Sequence, residues 1–358
     1  MENANLSQSR PVTSNRDGLL LAHLSDVHLS PVPLLDWRHA NIKRVLGFLN
    51  WQWKRRRWHS NDVVAALLAD LEAMGPDHIA VSGDLVNIAL PKEFAAAERW
   101  LSGVGLPRHV SVVPGNHDLY TELNGDVGVA RWAAYMAGDG DRLVDADGDG
   151  GPDVSQRQVL DGFPYLRVRG GVALIGVNSA YPTPPFNATG VVESDELDRL
   201  KSLLLDCRDR GLFRCVMIHH PPLPGQASLR RGLTNAEALK DLFAQTGVDL
   251  VLHGHNHQNS FVWGDIAGAA AGEPSRYPVI GVASASSVHS KDHDPMGGPA
   301  LARYNLIQIQ RSMLGGTWDI EVTGRGLSHR HGSVRELERF AISNGVRTDV
   351  GLDKAQAS

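Results

Sequence analysis

Five short fragments rich in metal-binding side chains, each following an apolar run, constrain this chain more than any other feature. They are Asp26-Val27-His28, Gly83-Asp84, Gly115-Asn116-His117-Asp118, His219 and Gly254-His255-Asn256-His257. Carboxylate, imidazole and amide oxygen are the donors that hard and borderline divalent metals take. The runs before them, at 19–24, 78–82, 109–113, 214–218 and 249–252, have the length and composition of buried strands. To bring all five together, a fold must lay these strands side by side with their carboxyl ends on one edge. That edge is where α/β sheets bind ligands. Helical patterns at 62–74, 93–101, 194–209 and 235–245 fall between the runs, and the alternation predicts an α/β protein.

Electrostatics asks for a shared carboxylate. Two divalent cations about 3.5–4 Å apart repel by roughly 20 kcal/mol even at an effective dielectric constant of about 20. Something anionic must lie between them, and Asp84, alone after a strand and a glycine, is the natural bridge. Asp26 adds a second negative charge, while histidines and an asparagine oxygen fill coordination positions without cancelling the rest. Two cations, two carboxylates and one hydroxide leave about +1, enough to attract a phosphate ester and acidify bound water. Gly83, Gly115 and Gly254 fit turns where backbone runs close to the metals. His23, His78, His109 and His253 read as ordinary polar residues near strand ends.

The rest of the chain excludes more than it specifies. A hydrophobic fraction of 42% and a charged fraction of 21% are those of a soluble globular protein. A net charge of −5 gives no general reason to expect a nucleic-acid polymer as partner. Cys207 and Cys215 are too few for a disulfide framework and point to a reduced, cytoplasmic setting. Residues 1–16 lack the regions of a signal peptide, and no apolar run approaches the roughly 20 residues that cross a bilayer. The organisation read from this is a disordered lead-in at 1–17, one domain at 18–343 and a tail at 344–358. Strands at 278–283, 302–310 and 317–322 suggest an antiparallel tail completing a second sheet. Residues 334–342 read as a last helix.

The fragment order D-x-H, G-D, G-N-H-D, H, G-H-x-H resembles the calcineurin-like metallophosphoesterase superfamily, over roughly residues 19–257. The resemblance implies a four-layer αββα sandwich of two mixed β-sheets flanked by helices. It implies two divalent metal ions (Fe, Mn, Zn or Co), one held by Asp26, His28, Asp84 and His257, the other by Asp84, Asn116, His219 and His255. His117 would face the substrate, protonated, with Asp118 orienting its ring. The implied reaction is attack of a metal-held hydroxide on phosphorus. In motif texture, Gly115–Asp118 and the stretch from His219 to Leu223 look most like bacterial class III cyclic-nucleotide phosphodiesterases and glycerophosphodiesterases. A small-molecule diester is therefore the substrate expected. A lipid-linked pyrophosphate hydrolase of the UDP-diacylglucosamine type, a broad phosphomonoesterase and a non-catalytic scaffold are the alternatives.

Two stretches stand outside the pattern. Residues 36–59 combine an apolar stripe (Ile42, Val45, Leu46, Leu49, Trp53), four tryptophans and the run Lys54-Arg55-Arg56-Arg57. The reading preferred is a helix whose stripe docks on the protein or on a second copy in a homodimer, leaving the basic run as a solvated face. The other is a lid contacting a base, an acyl chain or a membrane surface. Asp145-Ala146-Asp147-Gly148-Asp149-Gly150 begins like a calcium loop, but Pro152 and Gln156 depart from one, so a solvated turn is the expectation there.

Overall fold

Short β-branched and aliphatic runs, closed by a glycine or a polar donor, form the strands that carry the five fragments. The computed structural model describes residues 18–53, 55–122, 127–140, 154–268, 274–290, 300–312 and 317–351. In chain order these hold β1 (Gly18–Leu24), α1 (Ile42–Trp53), α2 (Asn61–Met74), β2 (His78–Val81), α3 (Pro91–Val104) and β3 (Val110–Val112). There follow α4 (Gln156–Asp161), β4 (Tyr165–Arg169), β5 (Val172–Gly176), α5 (Ser194–Asp209), β6 (Phe213–Met217), α6 (Ala236–Thr246) and β7 (Leu250–His253). The last strands are β8 (Ser260–Asp265), β9 (Arg276–Gly281), β10 (Arg303–Arg311), β11 (Trp318–Leu327), β12 (Val334–Ser343) and β13 (Val346–Val350).

Two mixed sheets result. One has seven strands in the order β13-β12-β11-β10-β1-β2-β3, the other six in the order β4-β5-β6-β7-β9-β8. Their pleats explain the layers. On β5, β6 and β7 the residues Val172, Leu174, Cys215, Met217, Leu250 and Leu252 pack into the core that also takes Leu21, Val81 and Val112 of the first sheet. Their alternates Ala173, Ile175, Val216 and Val251 face Leu200, Leu204 and Phe243 of α5 and α6. Period-two side-chain alternation thus gives each strand of the second sheet one face toward the first sheet and one toward helices. The strands β1, β2 and β3 run parallel in the first sheet, as do β5, β6, β7 and β9 in the second. All five fragments consequently emerge at carboxyl ends.

The expected tail divides between the sheets. The strand around 278–283 joins the second, but β10 and β11 extend the first, where β10 lies antiparallel to β1 with Leu19 opposite Ile309 and Leu21 opposite Ile307. Residues 334–342 form a strand, not a helix. Glu and Leu favour a helix locally, yet Phe340 and Ile342, two apart, both reach the core, and pairing with β11 supplies the backbone partners. Tertiary context overrides a weak propensity here. Cys207 and Cys215 are both buried and unpaired. No helix among the described residues is long and apolar enough to cross a membrane.

Candidate metal centre

The loops after β1, β2, β3, β6 and β7 meet in one place. Around Asp26, the His257 Nε2 stands 3.1 Å and the His28 Nε2 3.9 Å from the carboxylate Oδ1, and the two imidazole nitrogens are 3.2 Å apart. Beside it, Asn116 Oδ1 lies 2.8 Å from His255 Nδ1 and 3.2 Å from His219 Nε2. Asp84 Oδ2 sits between the two groups, 3.8 Å from His28 Nε2 and 3.5 Å from His219 Nε2.

The separations of 3.1–3.9 Å suit metal ligation, while the 2.8 Å contact of Asn116 with His255 is a hydrogen bond in this arrangement. With bonds of about 2.1 Å, ligand atoms of one tetrahedral ion stand about 3.4 Å apart. The second nitrogens support that reading: His28 Nδ1 faces the Val86 carbonyl at 3.1 Å and His219 Nδ1 the Ser82 carbonyl at 2.7 Å. A ring that donates one N–H to a carbonyl offers its other nitrogen as a lone pair. Asp26 Oδ1 is buried without a well-formed hydrogen bond. The donor set therefore suits two divalent ions that share Asp84.

The backbone is bent to make this possible. Asp26, His28, Asp84, His255 and His257 all have positive φ, between 44° and 68°. Non-glycine residues take that conformation rarely and at a cost; here it turns consecutive strand ends inward. Two glycines permit the close approach. A Cβ on Gly115 would meet Asp84 Oδ1 at 2.2 Å, and one on Gly254 would meet Ser25 Oγ at 1.9 Å.

Asp118 does not orient the His117 ring, contrary to what the resemblance implied. Its carboxylate accepts backbone N–H bonds from Asp84, Leu85, Val86 and Gly115, at 2.8–3.1 Å. It ties the Asp84 loop to the Asn116 loop and acts as a positioning residue. The carbonyl of Asn87 takes the His117 Nδ1 proton instead, and the Glu93 carboxylate, at the start of α3, holds that loop through the N–H groups of Asn87, Ile88 and Leu90.

Arg55, from the stretch expected to be a solvated basic face, enters the site. Its guanidinium donates to His28 Nε2 at 2.9 Å and to His117 Nε2 at 3.0 Å. Nothing in a run of four cations singles out its second member, so sequence reasoning missed it. His59 was missed too. It packs edge-on against His28 at 4.9 Å and holds Ser286 through Nδ1 at 2.7 Å. Tyr120 stacks on His117 at 5.4 Å, and the Lys43 ammonium lies over the Tyr120 ring, 4.2 Å from its centre. His220 shapes its turn, with Ser179 Oγ at 2.8 Å and the Ala188 carbonyl at 3.2 Å on its two nitrogens. Of the histidines read as ordinary, His23 and His78 bond serines and His253 the neighbouring Gly254 carbonyl. The Asp145–Gly150 turn lies outside the described residues.

Charges follow the geometry. Burial alone would raise Asp84, but the His219 and His117 imidazoles hold its carboxyl well below the usual range. Reciprocally, burial would lower His219, yet without a metal the Asp84 carboxylate pushes it up to about 9, a proton that an ion bound at Nε2 would displace. Burial first and Arg55 second bring His117 down to about 4. It is thus neutral at pH 7 in this arrangement, whereas the resemblance implied a protonated ring. The fixed positive charge beside it belongs to Arg55.

The 36–59 stripe does not dock on the protein's own surface. Ile42, Val45, Leu46, Leu49 and Trp53 point outward, and Trp37 is exposed as well. Lys43, Arg44 and Trp51 are the residues α1 buries. The Lys43 ammonium donates to the carbonyls of Tyr120 and Thr183 at 2.7 and 2.8 Å, and Arg44 to Ile88, Ala89 and His39 carbonyls. An ammonium inside a protein must be hydrogen-bonded; these carbonyls satisfy it and fix the rotation of the helix.

Comparison with known proteins agrees with this geometry. The family described as calcineurin-like phosphoesterase matches residues 19–259. A glycerophosphodiester phosphodiesterase, GpdQ, of Enterobacter lignolyticus is 28% identical over 206 residues, 58% of this chain and 58% of that protein. A protein named as a probable cyclic nucleotide phosphodiesterase, from Synechococcus sp., is 27% identical over 203 residues, 56% of this chain and 65% of that one. The match spans less than two thirds of either relative's length. A dimetal phosphatase from Danio rerio superposes with a TM-score of 0.53 at 11% identity, covering 91% of this chain and 98% of that one. The structure of PhoD gives 0.55 at 10% identity, covering 93% and 72%. At such identities these two likenesses speak for the fold.

Proposed function

The chain belongs to the calcineurin-like phosphoesterase family, and from that premise we propose that it hydrolyses small phosphodiesters, cyclic nucleotides among them, with two divalent metal ions. The observation that carries the reading is the position of Asp84 Oδ2, within 3.5–3.8 Å of an imidazole nitrogen of each donor group. Bound there, the two cations would supply charge for the phosphoryl oxygens and an acidified water; Fe, Mn, Zn and Co all suit the donors. Asp26, His28, Asp84 and His257 would hold one ion, and Asp84, Asn116, His219 and His255 the other.

The chain's own residues do the rest. Asp118 keeps the Asp84 and Asn116 loops at a fixed distance through four main-chain hydrogen bonds. The Asn87 carbonyl fixes His117 with Nε2 facing the site. His28 Nε2 has a single lone pair, so Arg55 and a metal ion compete for it, while Arg55 retains its bond to His117 Nε2. The guanidinium, paired with a neutral imidazole, is then the fixed cation that meets the ester's non-bridging oxygens or leaving oxygen.

Support for diesters comes from two sides. Both curated relatives are named as phosphodiesterases, and a metal-loaded site of about +1 is nearly neutralised by a monoanion. Arg55 favours a second reading, since its charge raises the site to about +2 and suits a dianionic monoester or a pyrophosphate. Metal analysis combined with turnover of bis-(p-nitrophenyl) phosphate and of p-nitrophenyl phosphate decides. Diester turnover at least tenfold faster supports the proposal. Faster monoester turnover replaces it with the second reading, and metal-replete protein inert toward both leaves a scaffold.

A further inference from the structure

Helix α1 carries its faces the wrong way round for a soluble monomer. Ile42, Val45, Leu46, Leu49 and Trp53 recur at three- and four-residue steps, one stripe of the helix, and all are exposed. Ile42 and Trp53, at its two ends, are 76% and 73% exposed. Lys43, Arg44 and Trp51 occupy the opposite face and are buried. Seven of the fifteen exposed large apolar side chains among the described residues fall between Leu34 and Trp53. Such a concentration marks an interaction surface, whereas singly scattered exposed apolar residues do not. Nor does the helix have freedom to roll its stripe inward. The Lys43 ammonium is held by Tyr120 and Thr183, and the far end of the segment by the bonds of His59 and Ser60 to Ser286.

We propose that this stripe docks the protein on an anionic membrane surface, with α1 lying in the headgroup plane. Charge selects this partner. Between Asn41 and Arg57 there is no carboxylate, and the cations include Arg38 just before the helix and Arg56 and Arg57 just after it. Arg56 and Arg57 are exposed; the Arg38 side chain is 70% exposed and pairs with Asp36 at 3.4 Å, so Arg56 and Arg57 carry the attraction to lipid phosphate. An apolar stripe with arginines at its ends and tryptophans at 37 and 53 fits the depth profile of an interface, where apolar groups sink and cations meet lipid phosphates. A second copy fits less well. The one carboxylate of residues 36–57, Asp36, pairs with Arg38, so neither orientation of a two-fold helix pairing offers Arg56 and Arg57 a free acid from the facing segment.

The proposal goes beyond the hydrolytic reading, and its test needs no turnover. Wild-type protein, Leu49→Asp and the double variant Arg56→Glu/Arg57→Glu are floated with phosphatidylcholine vesicles, with and without phosphatidylglycerol. Wild type should float with the phosphatidylglycerol vesicles and release as salt rises. Leu49→Asp and the double variant should each lose at least about tenfold in partitioning, with thermal melting curves like wild type showing that both fold. Three outcomes overturn the proposal: wild type staying unbound to anionic vesicles, equal binding to vesicles without phosphatidylglycerol, or undiminished binding by Leu49→Asp. A dimer in sedimentation velocity that Leu49→Asp splits would also overturn it, assigning the stripe to a second copy.

Discussion

The strand-end loops and the segment that overhangs them are built in opposite ways. In the loops, polar donors are buried, backbone takes positive φ, and main-chain hydrogen bonds fix the side chains of Asp26, His28, Asp84 and His219 before any ligand arrives. In the 36–59 segment, Lys43 and Arg44 are turned inward, an apolar stripe outward, and one arginine crosses into the site. The contrast separates two jobs. The loop donors all converge on one place, whereas the 36–59 segment sends a single arginine there and turns an apolar stripe away from it.

Variants can break that division, beginning with the largest effect. Asp84→Ala should release both metals and lower kcat/KM by about four orders of magnitude, because the remaining donors face two mutually repelling cations; metal stoichiometry is the readout. Retention of two tightly bound ions would mean that Asp84 is not shared. His117→Ala should keep both metals and lower kcat/KM about 10²-fold, because it removes both the ring that faces the site and the acceptor that holds Arg55 in place. Because its side chain gathers with His28 and Asp84 in a geometry that could itself hold an ion, loss of metal in this variant would move His117 among the ligands. Within the segment, Lys43→Ala should cost about 2 kcal/mol in denaturant unfolding, from the bonds to Tyr120 and Thr183 carbonyls. Arg55→Ala should raise KM about tenfold, roughly 1.4 kcal/mol, at unchanged metal stoichiometry, and Arg55→Lys should recover only part of it, since an ammonium does not reproduce the fork that can hold His117 and an ester oxygen together. The smallest effect belongs to Leu49→Asp, which should leave turnover of a water-soluble ester within about twofold of wild type, as exposed positions away from a site usually do.

What was legible in the sequence follows the same line. Donors placed directly after strands could be read as a set because period, length and chemistry all point the same way, and the structure brings every one of them together. The task of Asp118 was not legible, because a carboxylate next to a histidine looks the same whether it faces the ring or four amide groups. Arg55 was hidden for a similar reason: identical neighbours conceal which guanidinium turns inward. The outward turn of the stripe has another cause. Amphipathic spacing shows that a helix has two faces, but which face meets the protein depends on the carbonyls waiting opposite Lys43 and Arg44. The 334–342 strand was lost to local helix preference, and its partner, β11, ends only seven residues earlier at Leu327.

The pairing of β1 with β10 has a consequence for how the chain is made. Every metal donor has left the ribosome once residue 257 is out, and β2 can already flank one side of β1. The other side of β1 waits for β10, at Arg303–Arg311. During that interval the nascent molecule presents a bare, apolar strand edge beside a complete set of ligands, and such edges recruit other chains. A fragment ending near residue 260 would therefore carry all the chemistry of the site and still be expected to precipitate, so shortening the protein to its family-matching part removes the strand that keeps it apart from its neighbours.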